Sequence, residues 1–109
     1  MAGKFVLKRS RGQFMFNLRS PNGRIILTSE RYKTRAGALN GIKSVKMNAR
    51  KANPFDRRKS RNGKPCFVLV AANNEVIGRS QLYASRSGCI NGMASVRRNA
   101  PGAKTDDQT

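Results

Sequence analysis

The stretch Leu39-Asn40-Gly41-Ile42-Lys43-Ser44-Val45-Lys46-Met47-Asn48-Ala49 returns 51 residues later as Ile90-Asn91-Gly92-Met93-Ala94-Ser95-Val96-Arg97-Arg98-Asn99-Ala100. The match runs back without a gap to Gly12 and Gly63, and 15 of the 38 pairs between Gly12/Gly63 and Ala49/Ala100 are identical. A fixed internal period means that one structural unit is used twice. Ala38, Leu39, Ile42, Val45 and Ala49 recur at three- and four-residue spacing, as do Cys89, Ile90, Met93, Val96 and Ala100. Each set lays one apolar stripe along a helix. Thr34 and Ser85 stand where N-caps belong, and Asn53-Pro54 and Pro101-Gly102 end the two units.

Outward from the helices the period changes to two. Phe5 to Ser10 and Gln13 to Ser20 read as a hairpin turning at Arg11-Gly12, with Phe14, Phe16 and Leu18 on one face. Pro21-Asn22-Gly23 is a turn, and Arg24 to Arg31 a third strand led by Ile25, Ile26 and Leu27. The second copy follows with Asp56 to Arg61, Pro65 to Ala72 and Glu75 to Leu82. The polar tail Ala103 to Thr109 is expected either to fray or to add a short edge strand. One such unit has a thin core, because a single helix covers a single sheet face. The expected fold is therefore α+β: two tandem β-β-β-α repeats forming one continuous antiparallel sheet, both helices on one face, related by a pseudo-twofold axis. Residues 1–109 form a single domain on this reading, with repeat one at 4–52, repeat two at 55–100 and a tail at 101–109.

The two helical segments quoted above resemble the helix motif of the YegP-like family of uncharacterised bacterial proteins. Ala71-Ala72-Asn73-Asn74-Glu75-Val76-Ile77-Gly78 and Ser80-Gln81-Leu82-Tyr83 are similar to that family's turn and third strand. The resemblance covers nearly the whole chain. It implies the tandem form of a unit whose single-copy relatives pair as homodimers with exchanged C-terminal strands, so this chain is expected to be a monomer. It implies no activity, since the family has no established function.

The residues give no support to catalysis. Histidine is absent, and Cys66 and Cys89 are the only cysteines, too few for a disulfide framework or a four-ligand zinc site. Each takes the place of an apolar residue of the other repeat, Met15 and Ala38, and reads as a small hydrophobe. The five carboxylates, Glu30, Asp56, Glu75, Asp106 and Asp107, form no pair at matched positions. A non-enzyme without cofactor or metal is expected, in a reducing cytoplasm, since the longest apolar run, Cys66 to Ala72, is far short of a membrane span. Gly37, Gly41, Ser44 and Asn48 fall on one helix line, matched by Gly88, Gly92, Ser95 and Asn99. Helical glycine costs about 0.5 to 1 kcal/mol relative to alanine, so these positions call for close packing, of helix on sheet or helix on helix; the functional alternative is a ligand groove floored by bare backbone. Tyr32 and Tyr83 are read as rings at the core edge with the hydroxyl in water, and alternatively as platforms for a base.

Charge is the remaining signal. The chain carries 23 Lys and Arg against five acids, a formal charge of +18, which speaks to partners more than to fold. The densest block is Arg50, Lys51, Arg57, Arg58, Lys59, Arg61 and Lys64, broken only by Asp56. At the same 51-residue offset Phe5, Val6 and Leu7 give way here to Asp56, Arg57 and Arg58, which suits a solvent-facing or edge strand. Arg19 falls on the sheet face opposite Phe16, whose counterparts in the second repeat, Cys66, Val68 and Val70, are apolar. These eight basic residues are the candidate polyanion-binding set. The reading is a small binding module in which an open sheet face and basic rim contact nucleic acid chiefly through phosphates. The alternative is a protein-interaction or structural module, meeting an acidic protein at a sheet edge or at the Cys66/Val68/Val70 patch, with charge serving mainly solubility. No helix-turn-helix, RNP-like or zinc-finger pattern is present.

Overall fold

A computed structural model describes residues 3–52 and 54–109 of the chain. Asn53, named above as part of a unit boundary, lies outside the described residues, as do Met1 and Ala2. Among the described residues, the order is β1 (Lys4–Ser10), β2 (Gln13–Arg19), β3 (Ile25–Ser29), α1 (Arg35–Asn48), β4 (Phe55–Lys59), β5 (Pro65–Val70), β6 (Val76–Arg79), α2 (Arg86–Asn99) and β7 (Lys104–Asp107). The strands form one sheet in the order β4-β5-β6-β3-β2-β1-β7. Its first six strands are antiparallel, as expected, while β7 joins β1 in parallel and makes the sheet mixed. The tail thus forms an edge strand.

Both helices cover one face. α1 packs on β2, β5 and β6, and α2 on β3 and β5, burying Phe5, Leu7, Phe16, Leu18, Leu27, Val45, Phe67, Leu69 and Val96 in one shared core. The Thr34 and Ser85 hydroxyls accept from the Gly37 and Gly88 N–H groups, the caps read from the sequence. The pseudo-twofold axis runs between β3 and β6, where Thr28 pairs with its own repeat-mate Arg79. β7 crosses between the halves, leaving α2 to pair with β1, whereas β4 pairs with β5 of its own repeat.

The helix glycines make room for tyrosine. A Cβ at Gly41 would lie 2.6 Å from Tyr32 Cζ and 3.0 Å from Phe16 Cε2, and one at Gly92 2.5 Å from Tyr83 Cζ. Tyr32 stacks on Phe16 with centroids 6.2 Å apart, and Tyr83 on Phe67 at the same distance. Close packing is therefore the reason for these glycines, with a side chain of the same repeat as the neighbour. Burial raises both phenol pKa values.

The structure corrects the alignment of the first strands. Phe55 pairs with Leu69 as Phe5 pairs with Leu18, and Arg57 with Phe67 as Leu7 with Phe16. The first strand is offset by 50 residues, not 51. The counterparts of Phe5, Val6 and Leu7 are therefore Phe55, Asp56 and Arg57. The extra residue sits in the second hairpin. The first turns tightly through Arg11 and Gly12, both at positive φ, which suits a two-residue loop. In the second, the Ser60 N–H donates to Lys64 O and the Gly63 N–H to Ser60 O, leaving three residues in the loop with Gly63 at positive φ.

A basic cleft between β4 and α2

The eight sequence-selected cations do not form one surface. Arg57 and Lys59 lie on the helix-bearing side of β4, whereas Arg58 points to the opposite side and meets Asp56, Nε to Oδ2 3.1 Å. Arg61 and Lys64 stand in the β4–β5 turn, and Arg50 and Lys51 follow α1. Arg19 is remote from all of them, on the face away from the helices and three strands removed from β5. Its guanidinium is turned onto the Gly23 carbonyl at 3.3 Å, with Nε buried.

The open sheet face is also less open than its sequence implies. Cys66 and Val70 are half-buried, and Val68 is only 2% exposed; in the ladder Val68 lies between Asp56 and Arg79. The Asn17 amide donates to the Thr28 hydroxyl at 3.0 Å in the middle of the same face. Three carboxylates sit on this face, each with a cation: Asp106 with Lys4 at 3.7 Å, Glu30 with Arg79 at 3.0 Å, and Asp56 with Arg58. Such exposed pairs contribute little stability. Their consequence is electrostatic: this face is partly compensated, with Lys8, Arg19 and Lys104 in excess of its three acids.

The helix-bearing side is not. Neither helix contains a carboxylate, while Arg35, Lys43, Lys46, Arg86, Arg97 and Arg98 project from them. Two hollows of about 540 and 630 Å³ run between β4 and α2, with Arg57 lining both. Arg97 and Arg98 line the first, beside Phe55, Ile90 and Met93, and Lys59 and Arg86 the second, beside Cys66 and Cys89. Arg97 also fixes the link between repeats, donating to the Lys51 and Ala52 carbonyls at 3.1 and 3.3 Å with its guanidinium over the Phe55 ring. Arg86, Arg97 and Arg98 escaped the sequence reading because α2 is brought to β4 only by the sheet. Burial raises the Cys89 thiol pKa, and so does nearby Cys66, against a smaller opposing pull from Arg57. That direction disfavours the thiolate a nucleophile needs. Among the described residues no three His, Cys, Asp or Glu side chains gather as metal ligands, and no described helix is long and apolar enough to cross a membrane.

The fold and this surface define a class: a duplicated α+β module with one partly compensated face and one strongly cationic face. The family model "Domain of unknown function (DUF1508)" matches the chain twice, at residues 10–56 and 60–107. A UPF0339 protein of Bordetella pertussis is 50% identical over 109 residues, spanning 100% of this chain and 98% of its own, and one of Pseudomonas aeruginosa is 48% identical over 110 residues, spanning 100% of each. The solution structure of the protein of unknown function yegP from E. coli superposes with a TM-score of 0.92 at 42% identity, covering 100% of this chain and 95% of that one. That of a UPF0339 protein from Shewanella oneidensis gives 0.91 at 41%, covering 98% and 92%. The chain belongs to the DUF1508 (UPF0339) family, as the helix and turn motifs suggested. The function of this family is unknown.

Proposed function

We propose that the chain is a non-enzymatic binding module that contacts nucleic acid through phosphates, on its helix-bearing side and chiefly along the β4–α2 cleft. The observation that carries this reading is the segregation of charge. Four of the five carboxylates are matched to a cation at the β7 edge or on the far face, and none stands on either helix. A groove lined by one sign of charge attracts a polyanion at long range and releases its counterions on contact. The cleft offers no array of aromatic faces for base stacking, so little sequence preference follows. The surface is moved from the open sheet face expected at first to the opposite side.

The test is a mobility-shift titration with mixed-sequence DNA and RNA across salt. Replacing Arg57, Arg86 and Arg98 together by Ala is expected to weaken binding for every sequence and to flatten the slope of log K against log salt by roughly 2 to 3 on duplex DNA, about 0.9 per lost phosphate contact. Arg19→Ala on the far side is expected to change neither. Absence of binding near physiological salt, or equal losses from Arg19→Ala, refutes the reading.

A further inference from the structure

The two edges of the sheet are related by the pseudo-twofold axis, and they are not alike. On one edge β1 is covered by β7, with Lys4 to Leu7 beside Lys104 to Asp107. The Gln108 N–H extends that ladder by donating to Leu7 O at 2.8 Å. Asp107 meets Arg35 and Asp106 meets Lys4. On the other edge, among the described residues, β4, the counterpart of β1, has no strand outside it. The Val70 N–H donates to Pro54 O, so even-numbered residues of β4 turn their backbone groups to β5, and Phe55, Arg57 and Lys59 turn theirs outward.

We propose that the β4 edge binds an acidic, extended segment of a partner protein, added parallel to β4 as β7 is added to β1. The chain carries its own template for such a ligand. At the covered edge, a Lys-Thr-Asp-Asp strand satisfies the outward backbone of β1 and sets a carboxylate against Arg35. At the bare edge the equivalent of Arg35 is Arg86, exposed and lining the hollow that flanks Arg57 and Lys59. The residue opposite that carboxylate changes from buried Leu7 to exposed Arg57. On the other side of the added strand the match to the template ends: the position of Asp106, opposite Val6, falls opposite Asp56, and Pro54 stands in the place of Lys4. Main-chain hydrogen bonds supply affinity in strand addition, and alternate side chains supply specificity. Charge here selects a carboxylate on the helix-bearing side, where Arg57 and Arg86 stand. The inference goes beyond the nucleic-acid reading and does not depend on it: phosphate contact needs only cationic side chains, whereas strand addition needs the outward N–H of Arg57.

The experiment titrates the ¹⁵N-labelled full chain with an unlabelled peptide of the sequence of residues 101–109, to millimolar concentration. Expected are amide shifts and slowed exchange centred on Phe55, Arg57, Lys59 and Arg86. Arg86→Glu is expected to weaken binding about tenfold or more, the scale of losing a charge-assisted hydrogen bond. Arg57→Pro, which removes an N–H the sheet does not use, is expected to weaken it further than Arg57→Ala. A peptide with Asn in place of both Asp residues is expected to bind far less. If Arg57→Pro disturbs the rest of the spectrum, Arg86→Glu decides alone. The proposal is overturned if the β4 amides stay unmoved, if shifts appear only at β1 through exchange with the resident tail, or if the Asn peptide binds equally. It is also overturned if an oligonucleotide, and not the peptide, moves the outward amides.

Discussion

Exchanging Leu27 and Gly78 tests whether the axis between the repeats is a real packing constraint. The two are repeat-mates 51 residues apart, and both approach the axis beside the self-paired Thr28 and Arg79. Leu27 is 1% exposed, and a Cβ at Gly78 would lie 2.7 Å from its Cδ2 and 2.8 Å from its Cγ. The site holds one leucine side chain and is entered from either half. Two identical units would be forced to place two leucines there or none; the tandem chain places one. Leu27→Gly alone removes a fully buried side chain and is expected to cost about 2 to 5 kcal/mol. Gly78→Leu alone overpacks the same site and is expected to cost about 1 to 3 kcal/mol. Against a total stability of roughly 5 to 15 kcal/mol, each is readily seen in urea or thermal unfolding. The double exchange returns one leucine to the site from the opposite strand, so it is expected to recover most of both losses, a coupling of roughly 2 kcal/mol or more. Losses that simply add would show that the two residues do not share a site.

Two further outcomes follow from the packing and the ion pairs. Gly41→Ala is expected to destabilise by about 1 to 3 kcal/mol, since its Cβ meets the Tyr32 ring at 2.6 Å; in a Tyr32→Ala background, where Phe16 Cε2 at 3.0 Å is the tight contact that remains, most of that cost is expected to disappear, and a destabilisation unchanged by removing Tyr32 contradicts the account. Hydrogen bonds from Thr109 and Arg35 hold Asp107 down from 3.8 to about 2. Because its folded value lies below the ordinary one, its contribution is complete above about pH 4 and is lost as pH falls toward 2. Amide protection of β7 is expected to fall across that window and to fall less in Arg35→Ala; protection constant from pH 5 to 2 refutes it.

What the sequence disclosed is what short-range physics determines. Helix stripes, the Thr34 and Ser85 caps and the Arg11-Gly12 turn all depend on neighbours within a few residues, and all are where the pattern puts them. The edge position of β4 was legible from its charge. The extra hairpin residue was not, because a gapless match cannot report a shift that begins before its first pair. Nor was the partner of Gly41, because the ring that needs the space enters from the end of β3. The cleft stayed hidden for the same reason: Arg57 and Arg86 become neighbours only through the pairing of β4 with β5 and the packing of α2 over it.

Duplication within one chain frees each half from being identical to the other, and the places where that freedom was used are informative. At Leu27 and Gly78 the difference is explained by packing alone, since the axis has room for one side chain. At the edges packing explains only half of it. Leu7 is apolar because it is fully buried in the shared core with β7 outside it, but nothing in the core requires its counterpart Arg57 to be charged, or the opposite edge to be left bare. An unpaired edge is a liability that a second β7-like strand would have removed. Instead β4 is lined with Arg57, Arg58 and Lys59 and faced by Arg86 and Arg98. Charge at an edge guards against aggregation without needing cations on the neighbouring helix. What protection does not account for is Arg98, which stands beside the same edge where the first repeat has Met47, and an anionic ligand does account for it.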